Sequence, residues 1–339
     1  MSPPDMDTPA APQARYYSSL SDGSLECTLC PHRCRLAQGT IGICGVRKND
    51  GGRLTLPYYG LASALSVDPV EKKPLYHFMP GSMVYSVGYV GCNLHCPFCQ
   101  NFSISQSTEA EGVFLDPEAL ISEAKRLACP AIAHTYSEPI VHAEFVEESM
   151  RLARTAGLKS ILVTNACASA EVATNLLSRC DAVNVDLKAW DPGFYTRELG
   201  GEIDAVLNFI RSAHDKGVHL EVTTLVIPGK NDTVSQIEGI ASFLASLSRD
   251  IPLHLSAYRP MYRYNTPATS PESIHHLVER ARKQLRYVYS GNVPGEVDVT
   301  LCSSCGASLV SRHAYAVDSS GLSGNLCSAC GAQSPIRMF

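Results

Sequence analysis

Short apolar segments alternate with amphipathic ones from residue 82 to residue 291, and this alternation constrains the fold more than any other feature of the chain. The apolar segments have the length and composition of buried strands, whereas the segments between them carry apolar residues at helical spacing. The predicted strands are SMVYSVGYV, AIAHTYS, SILVTNA, AVNVDLKAW, HLEVTTLVIPG, PLHLSAY and RYVYSG. Strands that alternate with helices pair in parallel, and strands that are apolar throughout need cover on both faces. We therefore predict an α/β fold, a partial or near-complete TIM-like (β/α)6 barrel.

The barrel is predicted over residues 61–294, with a small Cys-rich metal-binding segment at each end of the chain. The N-terminal segment covers residues 15–60, and a zinc-ribbon-like domain covers residues 295–339. A secretion signal has a cationic stretch followed by an apolar one. Residues 1–14, MSPPDMDTPAAPQA, contain neither. We predict that they form a disordered leader.

The chain contains 14 cysteines. In a chain without a secretion signal these thiols stay reduced, so we predict a cytoplasmic protein that uses them on metals and not in disulfides. Three of them, Cys129, Cys167 and Cys180, lie inside or at the end of apolar runs and are predicted to be small buried side chains.

The charge pattern argues against nucleic acid and membrane partners. The net charge is -5, and no block of Lys and Arg marks a polyanion site. Residues 74–108 carry no charged side chain, but glycines and prolines interrupt the stretch, so a membrane span is not predicted.

Three cysteines follow the first predicted barrel strand, at Cys92, Cys96 and Cys99 in VGCNLHCPFCQ. Three thiolates on a short loop can hold three irons of a 4Fe-4S cluster and leave the fourth iron open. A structural zinc site would need a fourth protein ligand, either His95 or a distant Cys, and zinc pairs usually have the spacing C-x2-C. The C-x3-C-x2-C spacing therefore predicts a 4Fe-4S cluster, with zinc as the alternative.

Polar residues collect where the predicted strands end. In such barrels the chemistry lies on the loops that follow the carboxyl ends of the strands. We expect one rim to bring these side chains together with the three cysteines. The candidates are Glu138, Asn165, Asp186, Lys188, Thr224 and His254.

The C-terminal cysteines have the spacing of a zinc ribbon. Two C-x2-C pairs, each followed by Gly, supply four thiolates to one tetrahedral ion. These residues are Cys302, Cys305, Cys327 and Cys330. Zinc is the predicted metal, and a rubredoxin-type iron is the alternative.

The N-terminal cysteines permit two interpretations. Their spacing, C-x2-C-x3-C followed by a more distant cysteine, suits either zinc or an auxiliary 4Fe-4S cluster. These residues are Cys27, Cys30, Cys34 and Cys44.

The central cysteine motif, with Phe98 just before its last cysteine, resembles the signature of the radical SAM superfamily. This resemblance implies that the open iron binds S-adenosylmethionine. An electron from a ferredoxin- or flavodoxin-type donor then cleaves the cofactor to a 5'-deoxyadenosyl radical, which abstracts hydrogen from a substrate.

The resemblance also implies a residue that contacts the methionyl amine, for which the chain offers two candidates. The family motif GGE occurs literally at residues 200–202, but this match falls after the fourth predicted barrel strand. Glu138 in TYSEP stands at the end of the second strand, where the family places the amine contact. We therefore expect Glu138, and not Glu202, to take this role.

Further cofactor contacts follow from likeness to pyruvate formate-lyase activating enzymes. Asp186 and Lys188 in DLK resemble the carboxylate and ribose contacts of those enzymes, although a surface ion pair is the alternative. Asn165 is expected to face the cofactor, and the segment around Thr224 is expected to lie along the adenine. His254 is expected either to reach the methionyl carboxylate or to be a paired core histidine.

Over a longer stretch the chain resembles the radical SAM family of the AmmeMemoRadiSam system. The likeness rests on segments such as CTLCPHRCRLAQGTIGICGVRKN, VDPVEKKPLYHFMPGS and YVYSGNVPG, together with the terminal CxxC pairs. It implies Memo-like and AMMECR-type partner proteins and a substrate that the sequence does not identify. The chain departs from the family at Ala166, where Gly is usual, and in AYRPMYRY after the sixth strand.

Two other functions are compatible with the same residues. The first is a glycyl-radical-enzyme activase that acts on a protein partner. The second is a metal-binding scaffold without catalytic activity, which would not cleave S-adenosylmethionine.

Overall fold

A computed structural model describes residues 12–107 and 111–339. Its strands, in chain order, are β1 (Tyr17–Ser19), β2 (Leu25–Cys27), β3 (Arg35–Leu36), β4 (Lys48–Asp50), β5 (Arg53–Thr55), β6 (Leu61–Pro69), β7 (Met83–Tyr89), β8 (Val113–Phe114), β9 (Ala131–Thr135), β10 (Lys159–Thr164), β11 (Ala182–Asp186), β12 (His219–Val226), β13 (Leu253–Ala257), β14 (Val288–Gly291), β15 (Val297–Leu301), β16 (Ser308–His313), β17 (Ala316–Asp318), β18 (Leu322–Ser323) and β19 (Leu326–Cys327). The α-helices are α1 (Phe102–Ser105), α2 (Pro117–Arg126), α3 (Ala143–Thr155), α4 (Ala170–Leu177), α5 (Pro192–Phe194), α6 (Ile203–Asp215), α7 (Val234–Leu247) and α8 (Pro271–Arg282). Short 3-10 helices cover Val70–Lys72 and Pro139–His142, and a π-helical turn covers Tyr195–Leu199.

A nine-stranded sheet forms the barrel wall, in the order β14-β13-β12-β11-β10-β9-β7-β6-β8. Strands β7 and β9 to β14 pair in parallel along it, which confirms the predicted parallel sheet. The edge strands β14 and β8 are not paired with each other among the described residues. The sheet is therefore a partial barrel.

Polar side chains start the helices that cover this sheet. Asp116 accepts a hydrogen bond from the Ala119 N–H at 2.6 Å, and Pro117 occupies the first turn of α2. Thr233 and Ser270 cap α7 and α8 in the same way. The apolar faces of these helices pack onto the sheet and form the main core.

Strand β6 is absent from the sequence prediction. It pairs antiparallel with β7 on one side and with β8 on the other. Its outer face is partly open, because the side chains of Leu65 and Val67 are each 38% exposed. The segment LASALSVDP consequently lacks the continuous apolar character that marks the parallel strands.

The N-terminal segment is fixed to the barrel by a buried arginine. Arg47 is 1% exposed and binds Glu144 of α3, with its Nη2 atom 2.7 Å from Oε1. Most of the predicted leader lies outside the described residues. Its last residue, Ala14, is buried and donates a hydrogen bond from its N–H to the Leu54 carbonyl at 2.7 Å, so the predicted boundary at residue 14 falls within packed chain.

The C-terminal unit, residues 295–339, packs on the segment that joins β6 to β7. The Met79 N–H donates to the Arg337 carbonyl at 2.9 Å, and the Arg337 N–H donates to the His77 carbonyl at 2.8 Å. The rings of Phe78 and Phe339 lie 5.3 Å apart. This unit is therefore part of the barrel surface.

Within the described part of the chain, no helix is long and apolar enough to cross a membrane.

Candidate cofactor site at the carboxyl ends of the barrel strands

The central cysteines lie on the loop between β7 and α1 and line one cavity. The Cys92 sulfur accepts a hydrogen bond from the Leu94 N–H at 3.3 Å. The Cys99 sulfur lies 3.1 Å from the Ser105 hydroxyl oxygen, and the Cys99 N–H donates to the Cys96 carbonyl at 3.2 Å. These bonds hold a tight loop that turns three thiols toward the same space.

Glu138 lies buried in the wall of this cavity at the start of the 3-10 helix Pro139–His142. Its Oε1 accepts hydrogen bonds from the Thr164 hydroxyl at 2.6 Å and the Ile140 N–H at 3.0 Å, and its Oε2 accepts from the Asn165 N–H at 2.7 Å. Burial raises the pKa of Glu138 to about 7, although these hydrogen bonds oppose the shift. The carboxyl group is thus held in one orientation and titrates near neutral pH.

The literal GGE motif lies elsewhere. Its Glu202 is exposed at the start of α6, makes no side-chain cap there, and is not among the residues that line the cavity. Gly200 ends the preceding π-helical turn with φ 71°, a conformation that favours glycine. The two glycines thus belong to a turn before a helix.

Asp186 and Lys188 line the cavity as an ion pair, with Nζ 2.9 Å from Oδ2. Burial alone would lower the pKa of Lys188, but the adjacent Asp186 carboxylate, together with Cys96 and Tyr195, outweighs burial and raises it. Asn165, which also lines the cavity, donates from Nδ2 to the Asn93 Oδ1 at 3.0 Å and to the Cys92 sulfur at 3.5 Å. Both the ion pair and the amide therefore stand beside the cysteine loop.

Thr224 does not reach the cavity. Its hydroxyl donates to the Leu187 carbonyl at 2.7 Å, and the side chain is fully buried. Successive side chains of a strand point to opposite faces, so Thr223 and Leu225 line the cavity instead. The side chain of Thr224 therefore faces away from the cavity, and the expectation that the segment around Thr224 lies along the adenine stays a prediction about its backbone.

His254 lines the cavity but is already paired. Its Nε2 lies 2.7 Å from Oε2 of Glu221, whose other oxygen is 2.9 Å from His219 Nε2. Burial would raise the pKa of Glu221, but the hydrogen bonds from the two histidines hold it well below its usual range. Glu221 also accepts hydrogen bonds from the backbone N–H groups of Tyr76 and His77. The buried hydrogen-bond network around Glu221 therefore fixes the segment before β7. Sequence reasoning missed Glu221, because an inward carboxylate in the middle of a strand has no local signal.

Ala166 adopts a left-handed conformation, with φ 58°. For a residue with a Cβ atom this costs roughly 1 to 2 kcal/mol, which explains in physical terms why glycine suits this position. The turn carries Asn165 and Cys167, whose N–H donates to the Asn165 Oδ1 at 2.8 Å. Strain is thus stored directly beside the candidate site.

The cavity has a volume of about 730 Å³ and extends from the cysteine loop to the C-terminal unit. At the far end Arg312, which is 1% exposed, donates to the Tyr76 carbonyl and, at 2.9 Å, to the Thr300 hydroxyl. Glu71 and Asp298 line the same end. Sequence reasoning missed this wall, because it forms only when the C-terminal unit packs on the barrel.

The C-terminal cysteines converge as the spacing predicts. Their four sulfurs lie within 4.8 Å of one another, and two of the separations, Cys302 to Cys330 and Cys305 to Cys327, are 3.8 Å. A tetrahedral ion with zinc–sulfur bonds of about 2.3 Å needs sulfur atoms about 3.8 Å apart. The arrangement therefore fits one tetrahedral ion.

The remaining cysteines separate into two groups. Cys129, Cys167 and Cys180 are buried, which confirms their prediction as small core side chains. Among the described residues, the C-terminal cysteines are the only such group of ligand atoms that all lie within 4.8 Å of one another. The sulfurs of the four N-terminal cysteines do not meet this criterion.

Comparison with known proteins shows which proteins this chain resembles in sequence. Residues 86–244 match the model of the radical SAM superfamily. An uncharacterized protein of Methanocaldococcus jannaschii is 36% identical over 309 residues, which cover 89% of this chain and 92% of that protein. The pyruvate formate-lyase 1-activating enzyme of Escherichia coli K12 is 22% identical over 192 residues, covering 54% of this chain and 77% of the enzyme.

Among solved structures, that of Streptococcus suis SuiB bound to S-adenosylmethionine has a TM-score of 0.50 and 14% sequence identity. The match covers 63% of this chain and 50% of the SuiB chain. This likeness shows the fold. The matched family model and the sequence relatives place the chain in the radical SAM superfamily, with similarity to pyruvate formate-lyase activating enzymes.

Proposed function

We propose that the protein reductively cleaves S-adenosylmethionine at a 4Fe-4S cluster held by Cys92, Cys96 and Cys99, and that the resulting 5'-deoxyadenosyl radical abstracts hydrogen from a substrate in the same cavity. Membership of the radical SAM superfamily implies both cofactors. The observation that carries the proposal is the opening of all three thiols into one cavity that also contains fixed carboxyl and ammonium groups. Three cysteine ligands leave one iron of a 4Fe-4S cluster for the cofactor.

Glu138 is the proposed partner of the methionyl amine. Its carboxyl group lies in the cavity wall and shares Asn165 with the cysteine loop, since the Asn165 backbone binds Glu138 and its side chain binds Cys92. An amine on the open iron would therefore find an oriented acceptor nearby. Asn165 orients both groups.

Asp186 and Lys188 are proposed to bind the carboxylate and ribose of the cofactor. The two groups are 2.9 Å apart, and each can keep this contact while it binds a ligand, because an ammonium has three donors and a carboxylate has two acceptor oxygens. Burial strengthens hydrogen bonds of this kind. For His254 we propose a positioning role, because its Nε2 is occupied by Glu221.

The C-terminal unit borders the far end of the cavity, and this position favours a small molecule or a flexible segment as substrate. Arg312 and Asp298 of the C-terminal unit line it, so a folded protein surface would meet this unit first. We propose a low-potential electron donor of the ferredoxin or flavodoxin type as partner. The Memo-like and AMMECR-type partners rest on the sequence likeness, and a cytoplasmic location is proposed because cysteines that bind metals must stay reduced.

A glycyl-radical-enzyme activase is the second candidate. The similarity to pyruvate formate-lyase 1-activating enzyme and to the indoleacetate decarboxylase activating enzyme of Tractidigestivibacter scatoligenes favours it. In this case the substrate would be a loop of a protein partner that enters the cavity.

The experiment that tests the function is a search for hydrogen transfer. Reconstituted protein is incubated without oxygen with S-adenosylmethionine, dithionite and a deuterated cell extract that has been separated by molecular weight. We expect deuterium in 5'-deoxyadenosine with the low-molecular-weight fraction. Transfer from the protein fraction alone would favour the activase, and the absence of cofactor cleavage in every fraction would contradict both.

The pKa of Glu138 predicts a pH dependence. Since burial raises this pKa to about 7, the carboxyl group loses its charge as the pH falls through that value. We expect S-adenosylmethionine binding to weaken on acidification from roughly pH 8 to pH 6, because the neutral acid is a poorer acceptor for the amine. Titrations of wild type and Glu138→Gln over this range check the prediction. An equal pH dependence in both proteins would contradict it.

Zinc in the C-terminal unit is predicted to hold residues 295–339 in place. Loss of metal ligands removes binding energy of about 10 kcal/mol or more from such small units. We expect Cys302→Ser with Cys305→Ser to lose one zinc per chain and to expose this unit to hydrogen exchange, while iron at Cys92, Cys96 and Cys99 is retained. Cys180→Ser is the matched control. One iron in place of zinc in wild type would favour the rubredoxin-type site, and unchanged metal content in the double variant would contradict a metal site here.

A further inference from the structure

The four N-terminal cysteines form a group around Cys27. Cys27 interacts electrostatically with Cys34, Cys30 and Cys44. A Cβ atom placed on Gly42 would lie 3.7 Å from the Cys34 sulfur and 3.8 Å from the Cys44 sulfur, so these two flank one glycine. All four therefore belong to one site, although three of them are nearly inaccessible to solvent.

The C-terminal unit serves as an internal comparison for this group. Its four sulfurs have closed to the 3.8 Å separations of a mononuclear tetrahedral site. Across residues 12–107 and 111–339 no other three ligands of this kind close within 4.8 Å, and this holds for the N-terminal cysteines as well as for Cys92, Cys96 and Cys99. In a 4Fe-4S cluster each thiolate binds a different iron, so the sulfurs lie farther apart than around one ion. Like the central cysteines, the N-terminal group thus lacks the close approach that a single tetrahedral ion requires.

Arg47 provides a second observation. Its side chain is 1% exposed and interacts electrostatically with Cys27, yet its Nε has no hydrogen-bond partner. A buried donor without a partner destabilises the folded protein, and more so when the group is charged. A cluster held by four thiolates is anionic and carries sulfide acceptors, so it would satisfy this donor and balance the guanidinium charge.

The group also lies directly against the central cysteine loop. The Cys30 thiol is within hydrogen-bonding reach of Asn93, whose Oδ1 accepts from Asn165 at 3.0 Å, and Asn165 reaches the Cys92 sulfur at 3.5 Å. At Gly91, where φ is 83°, a Cβ atom would lie 2.4 Å from the Cys44 carbonyl oxygen. Only two asparagine side chains thus separate the two sets of cysteines.

We propose that Cys27, Cys30, Cys34 and Cys44 bind a second 4Fe-4S cluster and not zinc. With four protein ligands it has no open iron and does not cleave S-adenosylmethionine. Its place beside the central loop suits one-electron exchange with the central cluster. If reduced, a cluster held by these four cysteines would supply one electron to a cluster at the central cysteines, and an external donor of the ferredoxin or flavodoxin type would replace that electron. The assignment of the metal does not depend on the proposed function of the central site.

Metal analysis of the full chain tests this proposal. After anaerobic reconstitution we expect about eight irons and eight sulfides per chain, with about one zinc. Cys27→Ala with Cys30→Ala should retain about four irons and the one zinc. Cys180→Ala, which removes a buried thiol outside every set, should keep the wild-type content.

A second variant tests the proposal even if Cys27→Ala with Cys30→Ala does not fold. Replacing Cys92, Cys96 and Cys99 by Ala should still leave about four irons, all in the N-terminal cluster. Wild type with about four irons and two zincs would overturn the proposal, as would four irons and one zinc. Iron absent from the central triple variant would overturn it equally.

Discussion

Replacing Cys92, Cys96 and Cys99 together by Ala is expected to abolish the formation of 5'-deoxyadenosine from S-adenosylmethionine. The reason is the number of ligands. The N-terminal and C-terminal sets each supply four thiolates, so neither leaves a metal coordination position open for the cofactor. The measurement is the anaerobic yield of 5'-deoxyadenosine with dithionite as the reductant.

The matched control replaces Cys129 and Cys180 by Ala. Both are buried thiols outside the three sets, so they test the effect of losing cysteines from the core. The control should keep its cleavage activity, reduced at most by lower stability. Cleavage that persists in the triple variant would show that the central cysteines do not hold the active cluster.

The second large effect is expected at Glu138. A hydrogen bond to a charged group contributes about 1.5 to 3 kcal/mol, so Glu138→Gln should weaken S-adenosylmethionine binding roughly 10- to 150-fold. Glu202→Gln should leave binding almost unchanged, because Glu202 is exposed and stands outside the cavity lining. Calorimetric titration of the reconstituted proteins measures both.

Glu138→Gln also affects stability, because in wild type the Asn165 N–H and the Thr164 hydroxyl both donate hydrogen bonds to the Glu138 carboxylate. The amide nitrogen of the glutamine cannot accept from either donor, so some loss of stability is expected. Thermal unfolding without cofactor separates this loss from the loss of binding. A stronger effect at Glu202 than at Glu138 would mean that the literal GGE motif binds the amine.

The sequence predicts those parts of the fold that depend on local pattern. Apolar runs and helix caps such as Asp116 identify the parallel strands and their helices, and the spacing of Cys92, Cys96 and Cys99 identifies the loop. Strand β6 is missed because its outer face is only half covered, which leaves a mixed pattern. The sequence also does not reveal that Thr223 and Leu225 line the cavity and Thr224 does not, because a buried parallel strand is apolar on both faces.

Long-range packing accounts for the rest. The pairing of His254 with Glu221 joins two strands, and its effect on the segment at Tyr76 appears only in three dimensions. Likewise Arg312 enters the cavity wall because residues 295–339 fold back onto the segment before β7. A truncated chain that ends at Gly295 would lose part of the cavity wall as well as the four C-terminal cysteines, so cysteine variants are the better test of the proposed zinc site.

Electron paramagnetic resonance spectroscopy of the reduced protein tests the central claim most directly. The claim is that Cys92, Cys96 and Cys99 leave one iron free to bind the amine and carboxylate of S-adenosylmethionine. Reduced wild type should show a 4Fe-4S signal that changes when the cofactor is added, with hyperfine coupling from cofactor labelled at the amino nitrogen and the carboxylate oxygens. A spectrum that stays unchanged on addition of the labelled cofactor, in protein with a full complement of iron, would contradict the account.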